Sequence, residues 1–317
     1  MMVHQETTPA IEFRRIHRFF GNVRAVHDVS FSVPAGSVCG YIGPNGAGKT
    51  TSMRILATLE LPNYGDALID GISSINDPEL VRRRLGFMPD GFGTYAYTSV
   101  AEYLDFFARA YGIIGRQRTQ RVNRVLDFTK LRLIEDKPIR GLSKGMKQRL
   151  CLGRAMIHDP TVLVLDEPAN GLDPRARIEL RQMIRALAAD GKTVLVSSHI
   201  LTELAEMCDF VAIVERGQLL AVGSVDEIRR QAVPVRRCKL RVLADPAVTQ
   251  QFLTSRLNPA DWHYDGQSFS IAIHGDEAAQ ASFVRELFTA GVEIVEIITE
   301  SHSLEDLFMH ITEGLLQ

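Results

Sequence analysis

No stretch of these 317 residues approaches the run of about 20 apolar side chains that a bilayer-crossing helix requires. Residues 1–10 are polar, where a secretory leader would carry an apolar core. The apolar runs at 162–165 and 194–196 are short and predict buried strands, so any membrane role is expected to come through a partner. Cysteine is scarce. Cys39, Cys151, Cys208 and Cys238 form no CxxC pair and no ladder, which argues against a disulfide framework or a thiolate metal site and for buried, inert thiols. A basic excess is also missing: 36 Lys and Arg face 38 Asp and Glu, for a formal charge of -2. Duplex binders normally carry such an excess to displace counterions, so a nucleic-acid partner is not expected, although a local patch could hide in a balanced total.

What is present is an ordinary globular mixture, 45% hydrophobic and 23% charged, long enough for two domains. Ile11-Glu12-Phe13, Ala25-Val26 and the alternating 29–33 segment read as strands, and Pro34-Ala35-Gly36 turns the chain into an apolar strand at 37–42. The region from about 89 to 157 reads as mainly helical. Ser99 and Glu102 have capping-box spacing, and Val100, Tyr103, Leu104, Phe107, Ala108 and Tyr111 then share one helix face. From Thr161 the pattern becomes strand (162–165), helix (174–189), strand (193–196), helix (201–208) and strand (210–215). Buried strands alternating with amphipathic helices predict an α/β core with a parallel sheet, into which the helical region is inserted.

The alternation lapses around 231–237, which places a domain boundary between a first domain, 1–230, and a second, 235–317. The second reads β-α-β-β-α-β, with an Asp265-Gly266 turn between its middle strands and a final helix from Ser303, a pattern that predicts a small ferredoxin-like α+β unit.

Gly43-Pro44-Asn45-Gly46-Ala47-Gly48-Lys49-Thr50 fits G-x-x-x-x-G-K-[ST] and lies between a predicted strand and a predicted helix. A triphosphate needs backbone N–H groups brought close without Cβ interference, and the glycines permit that. The following helix N-terminus adds its positive dipole end. Lys49 is placed to neutralise terminal phosphates and the Thr50 hydroxyl to ligate Mg²⁺. The buried strand 162–165 ends in Asp166, a second candidate Mg²⁺ ligand, acting through a coordinated water. Glu167 follows, expected on the opposite side of the strand, where a carboxylate could accept a proton from attacking water.

With those residues in view, the chain resembles the nucleotide-binding subunits of ATP-binding cassette (ABC) transporters, in particular the branch serving ABC-2-type exporters. Leu142-Ser143-Lys144-Gly145-Met146-Lys147-Gln148-Arg149 looks like the family signature. Asn170-Gly171-Leu172-Asp173 looks like the D-loop, and His199, after Val196-Ser197-Ser198, like the switch histidine. Phe20, before Gly21, matches the aromatic that stacks on adenine. These motifs span about residues 11–225 in the family's order.

The resemblance implies an ABC ATPase fold with an antiparallel β subdomain and a helical insertion, and ATP with Mg²⁺ as ligands. It implies nucleotide contacts from Phe20, Gly43, Asn45, Gly46, Ala47, Gly48, Lys49, Thr50, Thr51, Ser143 and Gly145. Catalytic roles fall to Glu167, His199 and Lys49, and metal contacts to Thr50, Asp166 and Asp90. Ser143 and Gly145 of one subunit are implied to face the phosphate held by Lys49 of a second copy. The load would be separate transmembrane ABC-2-type permease subunits, exporting an unknown substrate from the cytoplasmic face of the membrane. Gly91-Phe92-Gly93-Thr94-Tyr95-Ala96-Tyr97 is a candidate surface for docking them, or else packs against the helical insertion. The chain departs from the family at Asp90, where glutamine is usual, at Lys144 and Met146, which stand for glycine and glutamine, and at Phe20, which stands for tyrosine. An alternative function class is a soluble ABC ATPase working on nucleic acid or ribosomes.

Overall fold

The computed structural model describes residues 8–91, 93, 95–200, 207–231, 235–243, 245–275 and 277–299. The helices expected at 201–208 and from Ser303 lie wholly or mostly outside them. The chain divides into two compact units, Met1–Val225 and Asp226–Gln317.

The first unit opens with an antiparallel sheet built from β1 (Ile11–Phe20), β2 (Val23–Val33), β4 (Tyr64–Ile69) and β5 (Ile72–Ser73), in the order β2-β1-β4-β5. Where the sequence predicts separate pieces at 25 and 29, the structure has one long strand. The reason is bulging: the β1–β2 register slips between Phe13 and Phe19, and Arg15 and Asp28 take positive φ. Bulges break the period-two pattern without breaking the strand.

Beside it lies the six-stranded sheet, in the order β10-β9-β3-β8-β7-β6. Its strands are β3 (Val38–Ile42), β6 (Leu85–Met88), β7 (Val162–Leu165), β8 (Thr193–Ser198), β9 (Phe210–Glu215) and β10 (Gln218–Ser224). All are parallel except β10, an antiparallel edge. Every residue of β3, β7 and β8 is buried, as strands covered on both faces must be. Because the strands run parallel, the loops leaving β3, β6, β7 and β8 all emerge at one edge, where α/β sheets bind ligands.

Helices α1 (Lys49–Leu56), α2 (Pro78–Arg84) and α6 (Pro174–Ala189) belong with this core. Asp173 caps α6 by accepting from Ala176 N–H, Pro174 sits at its first turn, and Gly191 ends it with φ +81°. The helical insertion, α3 (Val100–Ala110), α4 (Gly115–Phe128) and α5 (Lys144–Met156), has its own core around Tyr103, Leu104, Val125 and Leu150. The Ser99–Glu102 capping box forms with both reciprocal bonds, at 3.2 and 2.8 Å.

In the second unit, β11 (Val235–Val242), β12 (Trp262–Tyr264), β13 (Phe269–His274) and β14 (Ile294–Thr299) pair antiparallel in the order β12-β13-β11-β14. The helices Pro246–Arg256 and Glu277–Thr289 complete the ferredoxin-like β-α-β-β-α-β order. Cys238, Leu240, Phe269 and Ile271 form its core with Leu253 and Leu287 from the helices. All four cysteines of the chain are buried, and burial pushes the Cys39 and Cys151 thiols up to about 12.

Candidate functional site

The glycine-rich loop leaves β3 and enters α1 through Gly48, whose φ of +93° favours a residue without a side chain. A Cβ at Gly48 would lie 2.2 Å from the Ala25 carbonyl oxygen, and one at Gly43 would lie 2.1 Å from that of Val214. Two of the three glycines are therefore required by the chain's own backbone, a reason the motif alone does not reveal. Gly46 differs: space around it is open, and its φ of +83° is what matters.

Lys49, 5% exposed, donates through Nζ to the carbonyls of Gly43 at 2.7 Å and Pro44 at 3.2 Å. The same ammonium lies 3.3 Å from Glu167 Oε1. Glu167 Oε2 in turn accepts from His199 Nδ1 at 2.9 Å. Because a carboxylate only accepts, this contact puts the proton on Nδ1 and leaves Nε2 to face outward.

The expectation that strand alternation sets Glu167 on the opposite side of the strand is corrected. β7 ends at Leu165, and Glu167 has φ +47°, so the chain has already turned and carries the carboxylate over the loop lysine. The turn is held by Ser197, whose hydroxyl accepts from Glu167 N–H at 2.8 Å and donates to Asp166 Oδ1 at 2.7 Å. Ser197 carried no assignment in the sequence reading. Its signal is the parallel register: Leu165 pairs with Val196, so the next positions, Asp166 and Ser197, come out side by side.

Asp166 is 1% exposed and also hydrogen-bonds the Thr50 side chain. Burial pushes its carboxyl above the ordinary range, the charges of Glu167 and Asp90 push the same way, and the bonds from Ser197 and Thr50 oppose them. Such a crowded carboxylate is stabilised by a cation, which inverts the local balance. Among the described residues no cluster of three or more acidic, histidine or cysteine side chains could hold an ion alone. The Thr50 hydroxyl and the Asp166 carboxylate are the kind of hard oxygen donors that suit Mg²⁺, which takes one or two protein ligands and fills its shell from water and phosphate.

One cavity collects most of the expected residues: Phe20, Asn45 through Thr51, Asp90, Glu167 and His199, together with Arg24 and Asn170. Phe20 stands at its rim, half exposed. Ser143 and Gly145 do not line it. They border a separate recess with Leu172 and Asp173. The Ser143 hydroxyl caps α5, accepting from Met146 N–H at 3.3 Å. Of the aromatic run after Asp90, Phe92 and Thr94 lie outside the described residues. Tyr95 meets Phe106 of α3 edge-on at 5.9 Å, and Arg140 lies 4.8 Å over the ring of Tyr97, which is 81% exposed.

A parallel sheet feeding a glycine-lined, lysine-bearing loop beside a buried aspartate defines a P-loop nucleoside-triphosphatase. The ABC transporter family model matches residues 26–170. The chain is 35% identical over 222 residues to the Nod factor export ATP-binding protein I of Ralstonia nicotianae, covering 70% of this chain and 69% of that protein. It is 34% identical over 251 residues to the probable multidrug ABC transporter ATP-binding protein YbhF of Escherichia coli, covering 78% of this chain but only 42% of that longer protein. A solved ATP-binding subunit of an ABC transporter superposes with a TM-score of 0.64 at 31% identity, over 70% of this chain and 92% of that one. The chain belongs to the ATP-binding proteins of the ABC transporter family and is an ATPase.

Proposed function

We propose that this chain powers an exporter, hydrolysing ATP·Mg²⁺ between two copies of itself and passing the resulting motion to separate transmembrane subunits of the ABC-2 type. The observation that carries this reading is Glu167, whose carboxylate is shared between Lys49 and His199 in the cavity that also holds the P-loop. A carboxylate so placed orients a water and takes its proton, while Lys49 and the loop N–H groups hold the phosphates. His199 adds a polar contact to the γ-phosphate and the attacking water.

Thr50 and Asp166 would hold Mg²⁺, which when bound neutralises charge on the terminal phosphates. Asp90 is close enough to act on Asp166 electrostatically and would be a further acid beside the metal. Phe20 supplies the face on which the base stacks. Ser143 and Gly145, away from their own P-loop, complete the site of the opposite copy, where the capped α5 N-terminus brings N–H donors to the phosphate. The domain at 235–317, within the second compact unit, is an accessory domain of this subunit.

Export is supported by the relative named Nod factor export ATP-binding protein I; peripheral attachment on the cytoplasmic side would come through the transmembrane subunits, since no helix among the described residues is long and apolar enough to cross a membrane itself. The balanced charge lends a nucleic-acid role no support. Purification of the tagged chain from detergent-solubilised membranes tests the reading. A multi-span membrane protein should co-purify, and recovery only with ribosomes or nucleic acid would overturn it.

A further inference from the structure

Phe20 is offered as the base platform, yet a half-exposed ring at a strand end has nothing in its own chemistry to fix its plane. The structure supplies a candidate support. Arg18 stands two positions before Phe20 near the end of β1, and its guanidinium lies over the Phe20 ring, 4.5 Å from the centroid. Arg18 does not line the cavity; its side chain is only 21% exposed. Its guanidinium pairs with Glu60 and reaches Asn63 Oδ1 at 3.5 Å. Asn63 also accepts from Phe19 N–H at 2.8 Å, and its own N–H donates to the His17 carbonyl at 2.8 Å.

Glu60 stands four residues beyond the end of α1, the helix that begins at Lys49. One connected path therefore runs from the P-loop helix through Glu60 and Arg18 to the ring of Phe20.

We infer that Arg18 is the positioning residue of the base platform: it backs one face of Phe20, presents the other to the nucleotide base, and fixes the ring relative to the P-loop through Glu60. The inference rests on the base-stacking reading of Phe20. A guanidinium held against an aromatic face is attracted by the ring quadrupole, and the contacts of Nη2 with Glu60 Oε1 and Nη1 with Asn63 Oδ1 hold the guanidinium in turn. The effect should appear in base affinity and leave the chemistry at Glu167 unchanged.

The test compares steady-state ATPase of wild type, Arg18→Met, Arg18→Lys, Glu60→Gln, Phe20→Ala and the Arg18→Met/Phe20→Ala double variant, with inorganic tripolyphosphate as a base-free competitor. Arg18→Met should raise KM for ATP about two- to fivefold, the range of a single exposed cation–π contact, with kcat within about twofold. Arg18→Lys should recover part of that loss, Glu60→Gln should reproduce a smaller one, and the Ki of tripolyphosphate should not move. In the Phe20→Ala background Arg18→Met should add nothing. An equal shift in tripolyphosphate Ki, additivity with Phe20→Ala, or an unchanged KM in both Arg18→Met and Glu60→Gln would overturn the inference. Should Phe20→Ala itself leave KM unchanged, the base-platform reading fails instead, a separate and recognisable outcome. If Arg18→Met melts early, Glu60→Gln, which keeps every apolar contact, carries the same comparison.

Discussion

His199 and Glu167 share one hydrogen bond, Nδ1 to Oε2 at 2.9 Å, although 32 positions separate them in the chain. The contact fixes the imidazole tautomer and holds the carboxylate where Lys49 also meets it. The chemistry expected of this site depends on keeping that carboxylate in place.

Glu167→Gln keeps the side chain's size and removes its basicity. Turnover should fall about 10²- to 10⁴-fold, the usual contribution of a positioned general base. ATP binding should survive, and the variant should run as a dimer by light scattering with saturating ATP and Mg²⁺. Wild-type turnover would remove Glu167 from the base role, and a strictly monomeric variant would remove the two-copy site.

Ser197→Ala attacks the same carboxylate from behind. It leaves the Glu167 N–H without its acceptor and Asp166 without its 2.7 Å donor. A buried polar group stripped of its partner costs about 1–3 kcal/mol, so the urea midpoint should drop accordingly. The kcat should fall about tenfold or more as Glu167 loosens, because a positioned base depends on its geometry. Unchanged kcat with a lowered midpoint would confine Ser197 to stability.

Acid lability should trace to His158. Its ring stacks on Tyr111 with centroids 3.8 Å apart, and its Nε2 donates to the Leu85 carbonyl at 3.1 Å. Burial pushes the imidazole down to about 4, against the opposing effects of that hydrogen bond and of Asp159. Above pH about 6.5 neither the folded nor the unfolded chain protonates this ring. Between about 6.5 and 4 the unfolded chain takes up a proton that the folded one resists, and stability falls. His158→Gln should therefore lose about 1–2 kcal/mol less than wild type between pH 7 and pH 5, read from urea midpoints. Parallel losses in both proteins would clear His158 of the effect.

Tyr97 is 81% exposed with Arg140 over its ring, and Tyr95 is 59% exposed despite its edge contact with Phe106. Exposed aromatics a few residues after Asp90 suit a partner helix. Tyr97→Ala, and more so the Tyr95→Ala/Tyr97→Ala pair, should cut transport in vesicles carrying the permease about tenfold, the scale of a modest interface hot spot. The ATPase rate of the isolated subunit should stay within about twofold of wild type, since neither side chain lines the nucleotide cavity. Normal transport would remove this surface from the coupling role.

The sequence alone determined the parts whose geometry is local to a contiguous stretch. A buried strand, a glycine loop with Lys49 and Thr50 at its end, and the helix that follows are readable because each depends on neighbours in the chain. The same holds for Asp166 at a strand tip and for the Ser99 capping box. Which strands lie side by side was not readable, because hydrophobic periodicity reports what is buried and not against what. The order β3-β8-β7 is what places Ser197 beside Asp166 and His199 within reach of Glu167. The left-handed turn at Glu167, which brings its carboxylate to Lys49, is likewise set by a hydrogen bond from a strand about 30 residues away, and no local pattern encodes it.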